Sequence, residues 1–247
     1  MVQLAYLYEW FRNYARSYYS DDPVVMEGVR IKEIHSQRVA ASARSLAEHL
    51  ALTDRQKTLA EVIGLLHDIA RFRQITEYRT FVDAQSFDHG DAGAEELTRT
   101  GILKDFPAAE QAVVAFAVSN HNKMVIPPTG KTNELFAQII RDTDKLDIFR
   151  VLPPIQAGHD YSPKLISQLQ QGLLLAYTDV NTLADKRLIR LSWFYNIYYD
   201  WTLRQLVAEG HHRRLLAALP ATAEFAVIAA TLHNYIATRL RQAADSG

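Results

Sequence analysis

Apolar residues recur at three- and four-residue steps along almost the whole chain, and no stretch alternates apolar with polar as a half-buried strand would. A chain patterned in this way buries its apolar surface by packing helix on helix, so the expected fold class is all-α. Leu4, Leu7, Phe11, Tyr14 and Tyr18 mark an amphipathic opening helix. The stretch 31–50 continues with His35, Val39, Ser42 and Leu46 on one stripe. Thr53 and Gln56 have the spacing of a capping box for the next helix, which presents Leu59, Ile63, Leu66 and His67 on one face. Pro107 suits a first helical turn, with Glu110 to Asn120 following, and 133–149 form another helix. Beyond Pro153-Pro154 lie three more helical patterns, over 163–178, 182–208 and 221–243. Residues 1–150 are therefore expected to carry the chemistry, and 151–247 to form a C-terminal helical cap packed on that core.

Composition narrows the chemistry. The chain has 247 residues and no cysteine, which excludes thiolate metal ligands, disulfides and cysteine nucleophiles. Lys plus Arg total 27 against 28 for Asp plus Glu, so the basic excess that a dedicated nucleic-acid or anionic-membrane surface requires is missing. No apolar run approaches the roughly 18 residues that would cross a bilayer. Glu9, Arg12 and Arg16 interrupt the N-terminal apolar stretch, so no signal peptide is expected and a cytoplasmic location is the default. Gly130-Lys131-Thr132 resembles part of a phosphate loop, but the glycine that motif needs is replaced by Val125.

Polar residues set into apolar stripes carry the functional signal. At about 100° per residue, His35 and His67 both point inward from consecutive helices, and Asp68 lies within reach of an ion held by His67. An unpartnered buried carboxylate is costly, and metal ligation removes that cost. A further acidic ligand is expected from the run Arg141-Asp142-Thr143-Asp144-Lys145-Leu146-Asp147. Asp142 and Asp144 lie about 200° apart on a helix and cannot both face one ion, and periodicity does not choose between them.

The order His35, then His67-Asp68, then Asp144 resembles the H…HD…D signature of the HD-domain phosphohydrolase superfamily, and Asp142 to Phe149 is similar to its closing motif. The likeness covers about 30–150. Tyr78 to Ala84, Asp88 to Ala94, and Asn120-His121-Asn122-Lys123 with Ile126-Pro127 resemble stretches of bacterial HD proteins of unassigned substrate. The resemblance implies that Asp144, directly before the lysine, is the metal ligand, and that Lys145 contacts substrate phosphate. It also implies that His89 and His121 are either ligands of a second ion or groups beside the substrate. Some two-metal relatives carry a His-His pair where this chain has His121 alone, which favours one firmly held metal. Arg38, Arg71 and Lys123 are basic residues near the expected site.

Two imidazoles and two carboxylates without thiolate suit Mn, Fe, Co, Ni or Zn. The expected activity is hydrolysis of a phosphate ester or anhydride of a small phosphorylated substrate, such as a nucleotide, by metal-activated water. Asp68, His89 and His121 are the expected catalytic groups. Two rival readings are a di-iron oxygenase, which needs both His89 and His121 as ligands, and a non-catalytic nucleotide-binding module. The aromatic band Trp193, Phe194, Tyr195, Tyr198, Tyr199 and Trp201 is expected to be core or the face of a homodimer.

Overall fold

The structure, a computed structural model, describes residues 4–245, and every regular element among them is helical. The chain divides into two compact units, Met1–Asp147 and Ile148–Gly247. The first unit holds α1 (Leu4–Arg16), α2 (Pro23–His49), α3 (Asp54–Leu66), α4 (Ala70–Tyr78), α5 (His89–Thr100) and α6 (Ala108–Asn120), and the division falls inside α7 (Lys131–Val151).

Local chemistry sets these boundaries. The Asp22 carboxylate accepts from the Val24 and Val25 amides at 2.9 and 3.3 Å, and Pro23 has a ring already shaped for the first helical turn. That cap starts α2 at Pro23, well before residue 31, where the periodicity became clear. The Thr53–Gln56 capping box is present at the start of α3. Asp88 caps α5 by accepting from the Gly90 and Asp91 amides, both at 3.0 Å.

The helices α2 and α3 form an antiparallel pair around which the unit is built. Val39, Ala40, Ala43 and Leu46 of α2 and Val62, Ile63, Leu65 and Leu66 of α3 are all buried. Each large aliphatic side chain so buried contributes about 1.5–3 kcal/mol. At the crossing, Gly64 lies against the backbone of α2, and a Cβ there would stand only 2.7 Å from the Ala40 Cα. His35 lies five residues before Ala40 and His67 three after Gly64, so the closest approach of the two helices sits next to both histidines.

The second unit holds α8 (Pro163–Gln170), α9 (Asp185–Ser192), α10 (Asp200–Ala208), α11 (His211–Ala217) and α12 (Ala223–Asp245). Two expected helices are corrected here. The pattern over 163–178 stops at Gln170 because Gly172 takes the left-handed conformation, φ +72°, and turns the chain. The pattern over 182–208 is broken by a 3₁₀ turn at Trp193–Asn196 and extended backbone at Ile197 and Tyr199. The Arg239 guanidinium donates to the Ile197 and Tyr198 carbonyls at 3.1 Å each, satisfying acceptors that a continuous helix would have paired internally. In the aromatic band, Phe194 is fully buried in the core of this unit, while the half-buried Trp193 and Tyr195 pack on Phe149 and Tyr235.

Asp185 pins the start of α9. Its fully buried carboxylate accepts from the amides of Ser162, Asn181 and Thr182 and from the Ser162 hydroxyl, at 2.6–3.0 Å. Burial opposes the charge, but the bonds from Ser162, Asn181 and Thr182 outweigh it and hold the carboxyl below its ordinary range. Its stabilisation is therefore complete above the unfolded value near pH 4 and is lost as pH falls through the folded value. Asp185→Ala, which strands three amides, is expected to cost about 3 kcal/mol in urea unfolding at pH 7. The deficit relative to the native chain should shrink as the pH is lowered below about 4.

No helix among the described residues is long and apolar enough to cross a membrane.

Candidate metal centre

Four histidines and two aspartates converge inside the first unit. His35 comes from the middle of α2, His67 and Asp68 from the turn after α3, His89 from the first turn of α5, His121 from the end of α6, and Asp144 from α7. His35, His67, Asp68, His89 and His121 are all buried, and the Asp144 side chain is 15% exposed. The His35 Nε2 lies 3.1 Å from Asp144 Oδ1 and 3.5 Å from Asp68 Oδ2. The His67 Nε2 lies 3.3 Å from Asp68 Oδ2 and 3.7 Å from Asp144 Oδ1. On the other side of Asp68, its Oδ1 stands 3.6 Å from His121 Nε2 and 3.7 Å from His89 Nε2.

The far nitrogen of every ring is held by an acceptor. His67 and His121 each follow the last residue of a helix and point Nδ1 back at the carbonyl three residues earlier, Gly64 O at 2.8 Å and Val118 O at 2.6 Å. Such carbonyls lack helical partners, and each ring supplies one. His35 Nδ1 faces Asp147 Oδ2 at 2.7 Å, and His89 Nδ1 faces Asp83 Oδ2 at 2.6 Å. A carbonyl or carboxylate only accepts, so each Nδ1 carries the proton. Every neutral ring therefore turns an Nε2 lone pair toward Asp68 or Asp144. The His89 and His121 Nε2 atoms face one another at 3.0 Å, which two lone pairs tolerate only with a proton or a cation between them.

The electrostatics are those of a cation site. Burial opposes ionisation of Asp68, yet the Lys32 ammonium and His67 hold its carboxyl well below the ordinary range. Burial likewise opposes ionisation of Asp144, which His35 and His67 hold down. Burial disfavours a charged His67 too, but Asp68 and Asp144 overcome it and push the imidazole up to about 10. His89 is pushed down to about 4, mainly by burial, against the pull of Asp83.

The residues fit a divalent ion on their own geometry. His35 Nε2 and His67 Nε2 are buried with no hydrogen-bond partner among the described residues. Single donor atoms of His35, His67 and Asp144 lie within 4.8 Å of one another, and so do those of His67, Asp68 and His121. Of the three candidate aspartates, Asp144 faces the cluster, Asp147 orients His35, and Asp142 is buried.

The expected basic residues fall in different places. Arg71 Nε is 3.5 Å from Asp68 Oδ1, but its Nη1 donates to Gln74, the Phe81 carbonyl and Asp83, which fixes the loop carrying Asp83. Lys145 is half-buried beside Asp144, and burial, aided by Arg141, lowers its ammonium to about 8. Lys123 is committed to Asp88 and Asp91 at 2.6 and 2.8 Å. Arg38 is exposed and forms no ion pair among the described residues. The structure thus does not bring Lys123 or Arg38 to the cluster. Two residues that sequence reasoning missed do belong there, Lys32, 2.5 Å from Asp68 Oδ2, and Asp83 beside His89, while Asp147, a candidate ligand in the sequence, is instead the partner of His35. Lys32 lies three residues before His35 and Asp147 three after Asp144, helical spacings that were available as a signal.

The family model of the HD domain matches residues 33–148, a span that contains all six converging residues. Residues 33–148 of the chain carry an HD domain. No curated protein and no solved structure matches it significantly. HD domains bind divalent metals, and the superfamily consists largely of metal-dependent phosphohydrolases.

In this HD domain the partner of a ligating ring matters as much as the ring. Asp147→Asn should leave the fold intact and weaken divalent-ion affinity about 10- to 100-fold, because the orientation and basicity of His35 depend on the carboxylate. Competition with a chelator of known affinity measures this.

Proposed function

We infer that the chain is a hydrolase that cleaves a phosphate ester or anhydride of a small metabolite, such as a nucleotide. The observation that supports this reading best is the convergence of tautomer-locked Nε2 atoms on Asp68 and Asp144, two of those atoms being buried without a partner. His35, His67, Asp68 and Asp144 would hold the ion. The donor set of imidazole and carboxylate suits Mn, Fe, Co, Ni or Zn. When bound, such an ion supplies Lewis acidity and makes a water nucleophilic near neutral pH.

The remaining steps belong to the chain. Lys145, half-buried with a proton it holds only up to about 8, offers positive charge to a substrate phosphate. Lys32 adds a second ammonium beside Asp68. His89 and His121, their Nε2 atoms 3.0 Å apart, are placed to contact the substrate or relay a proton to a leaving oxygen, with Asp83 fixing the orientation of His89. Burial of the cluster keeps bulk water from screening these charges.

A two-ion site is the second reading, favoured by the facing His89 and His121 Nε2 atoms and by the grouping of His67, Asp68 and His121. The test is a panel of phosphorylated metabolites assayed anaerobically with each of the five metals. Phosphate release without oxygen supports a hydrolase and excludes the oxygenase. Tight nucleotide binding without turnover in any metal would instead support a regulatory module. Lys145→Met is expected to lower kcat/KM about a hundredfold while metal content stays unchanged.

A further inference from the structure

The second unit contains a cavity that the metal centre does not use. It offers about 130 Å³ of space beneath a partly open mouth. Its walls are apolar, formed by Phe149, Leu152, Ile155 and Leu215. Three guanidiniums border it: Arg187, Arg190 and Arg214.

None of the three forms an ion pair with a carboxylate among the described residues. Arg187 donates to the carbonyls of Ile155, Ala157 and Gly158 and to the Tyr161 hydroxyl. It clamps that segment, but carbonyls leave its charge uncancelled. Arg190 spends Nη1 on the Pro153 carbonyl at 2.6 Å. Arg214 donates to the Glu209 carbonyl at 2.7 Å and to His211 Nδ1 at 2.8 Å. The Glu209 carboxylate at this end of the unit is already bonded by Arg150 and by His211 Nε2. Burial pushes the Arg190 guanidinium below its ordinary value, as expected of a charge without a counterion.

Three uncancelled cations over an apolar floor select an anion with an apolar body. Guanidinium forks match the paired oxygens of a phosphate or carboxylate, while Phe149, Leu152 and Leu215 match a flat hydrocarbon surface. We propose that this cavity is a second ligand site, separate from the metal centre, for a small organic anion with an oxyanion head on a flat apolar body. Arg190 and Arg214 grip the head, and Arg187 holds the wall and adds its field.

Calorimetric titration of the intact chain tests this with four probes: 1-naphthylphosphonate, naphthalene-2-carboxylate, the neutral naphthalene-2-carboxamide and inorganic phosphate. Both naphthyl anions should bind the native chain and its Asp68→Ala variant equally well, and the tighter of the two identifies the head group. The amide and inorganic phosphate should each bind at least tenfold more weakly. The double variant Arg190→Ala/Arg214→Ala should lose at least tenfold in affinity for the anions while its metal content stays native. Leu215→Trp, which fills the cavity and leaves every arginine in place, should do the same, and it decides the matter if the double variant fails to fold. Equal binding of the neutral amide, unchanged binding in the folded double variant or in Leu215→Trp, or loss of binding in Asp68→Ala would each overturn the proposal.

Discussion

Asp68→Asn is expected to reduce metal-dependent phosphate release about a thousandfold, the upper end of what one electrostatic contact at a reacting centre is worth. The size follows from where the residue stands. Asp68 is the carboxylate shared by both halves of the cluster, its Oδ2 facing His35 and His67 and its Oδ1 facing His89 and His121. Asparagine keeps the shape and removes the charge. Lys32, 2.5 Å away, then loses its counterion, and His67 loses one of the two carboxylates that favour its charged form. The variant should therefore bind the ion more weakly as well as turn over more slowly. Phosphate release at saturating metal, set beside bound metal per chain, separates the two effects. Native turnover in a folded Asp68→Asn chain would contradict the assignment.

Gly64→Ala should be the most damaging single-methyl change in the first unit. The added Cβ would meet the Ala40 Cα at 2.7 Å, the Ala40 nitrogen at 2.9 Å and the Val39 carbonyl carbon at 3.0 Å. All three are backbone atoms, so no side chain can rotate away and α2 must move off α3. Overpacking of this kind costs about 1–3 kcal/mol, and backbone contact places this site at the top of that range. The melting temperature should fall by about 6–12 °C, at about 2–4 °C per kcal/mol for a chain of this size. The same displacement carries His35 on α2 away from His67 at the end of α3, so ion affinity should fall too. Alanine at Gly101, where a Cβ meets nothing within 4 Å, provides the contrast: its φ of +61° makes it cost stability without touching the ion site.

Periodicity made the helical class legible, because the core of the first unit lies on regular stripes such as Val39, Ala43 and Leu46. It failed where a long-range contact decides the backbone. Nothing between residues 182 and 208 announces that Arg239 will capture the Ile197 and Tyr198 carbonyls and break the helix. In the candidate site, His35, His67 and Asp68 stand out as polar residues on apolar faces, and the structure places them together with Asp144. Choosing Asp144 over Asp142 required either the resemblance or the three-dimensional geometry. Asp147 stood among the candidate ligands, but its role beside His35 went unread, as did Asp83, because both act through a histidine ring, and Lys32 went unread because a lysine on an amphipathic helix reads as solvated surface. Arg38 and Lys123 were selected for closeness in sequence, which says little about direction. One is exposed, and the other is bound to Asp88 and Asp91.

The most direct test is anomalous diffraction at a metal absorption edge from crystals grown with excess Mn or Zn. A difference peak about 2.0–2.2 Å from the His35 and His67 Nε2 atoms, with Asp68 and Asp144 oxygens completing the shell, is the predicted result. Metal-replete crystals with no peak between those four side chains would contradict it.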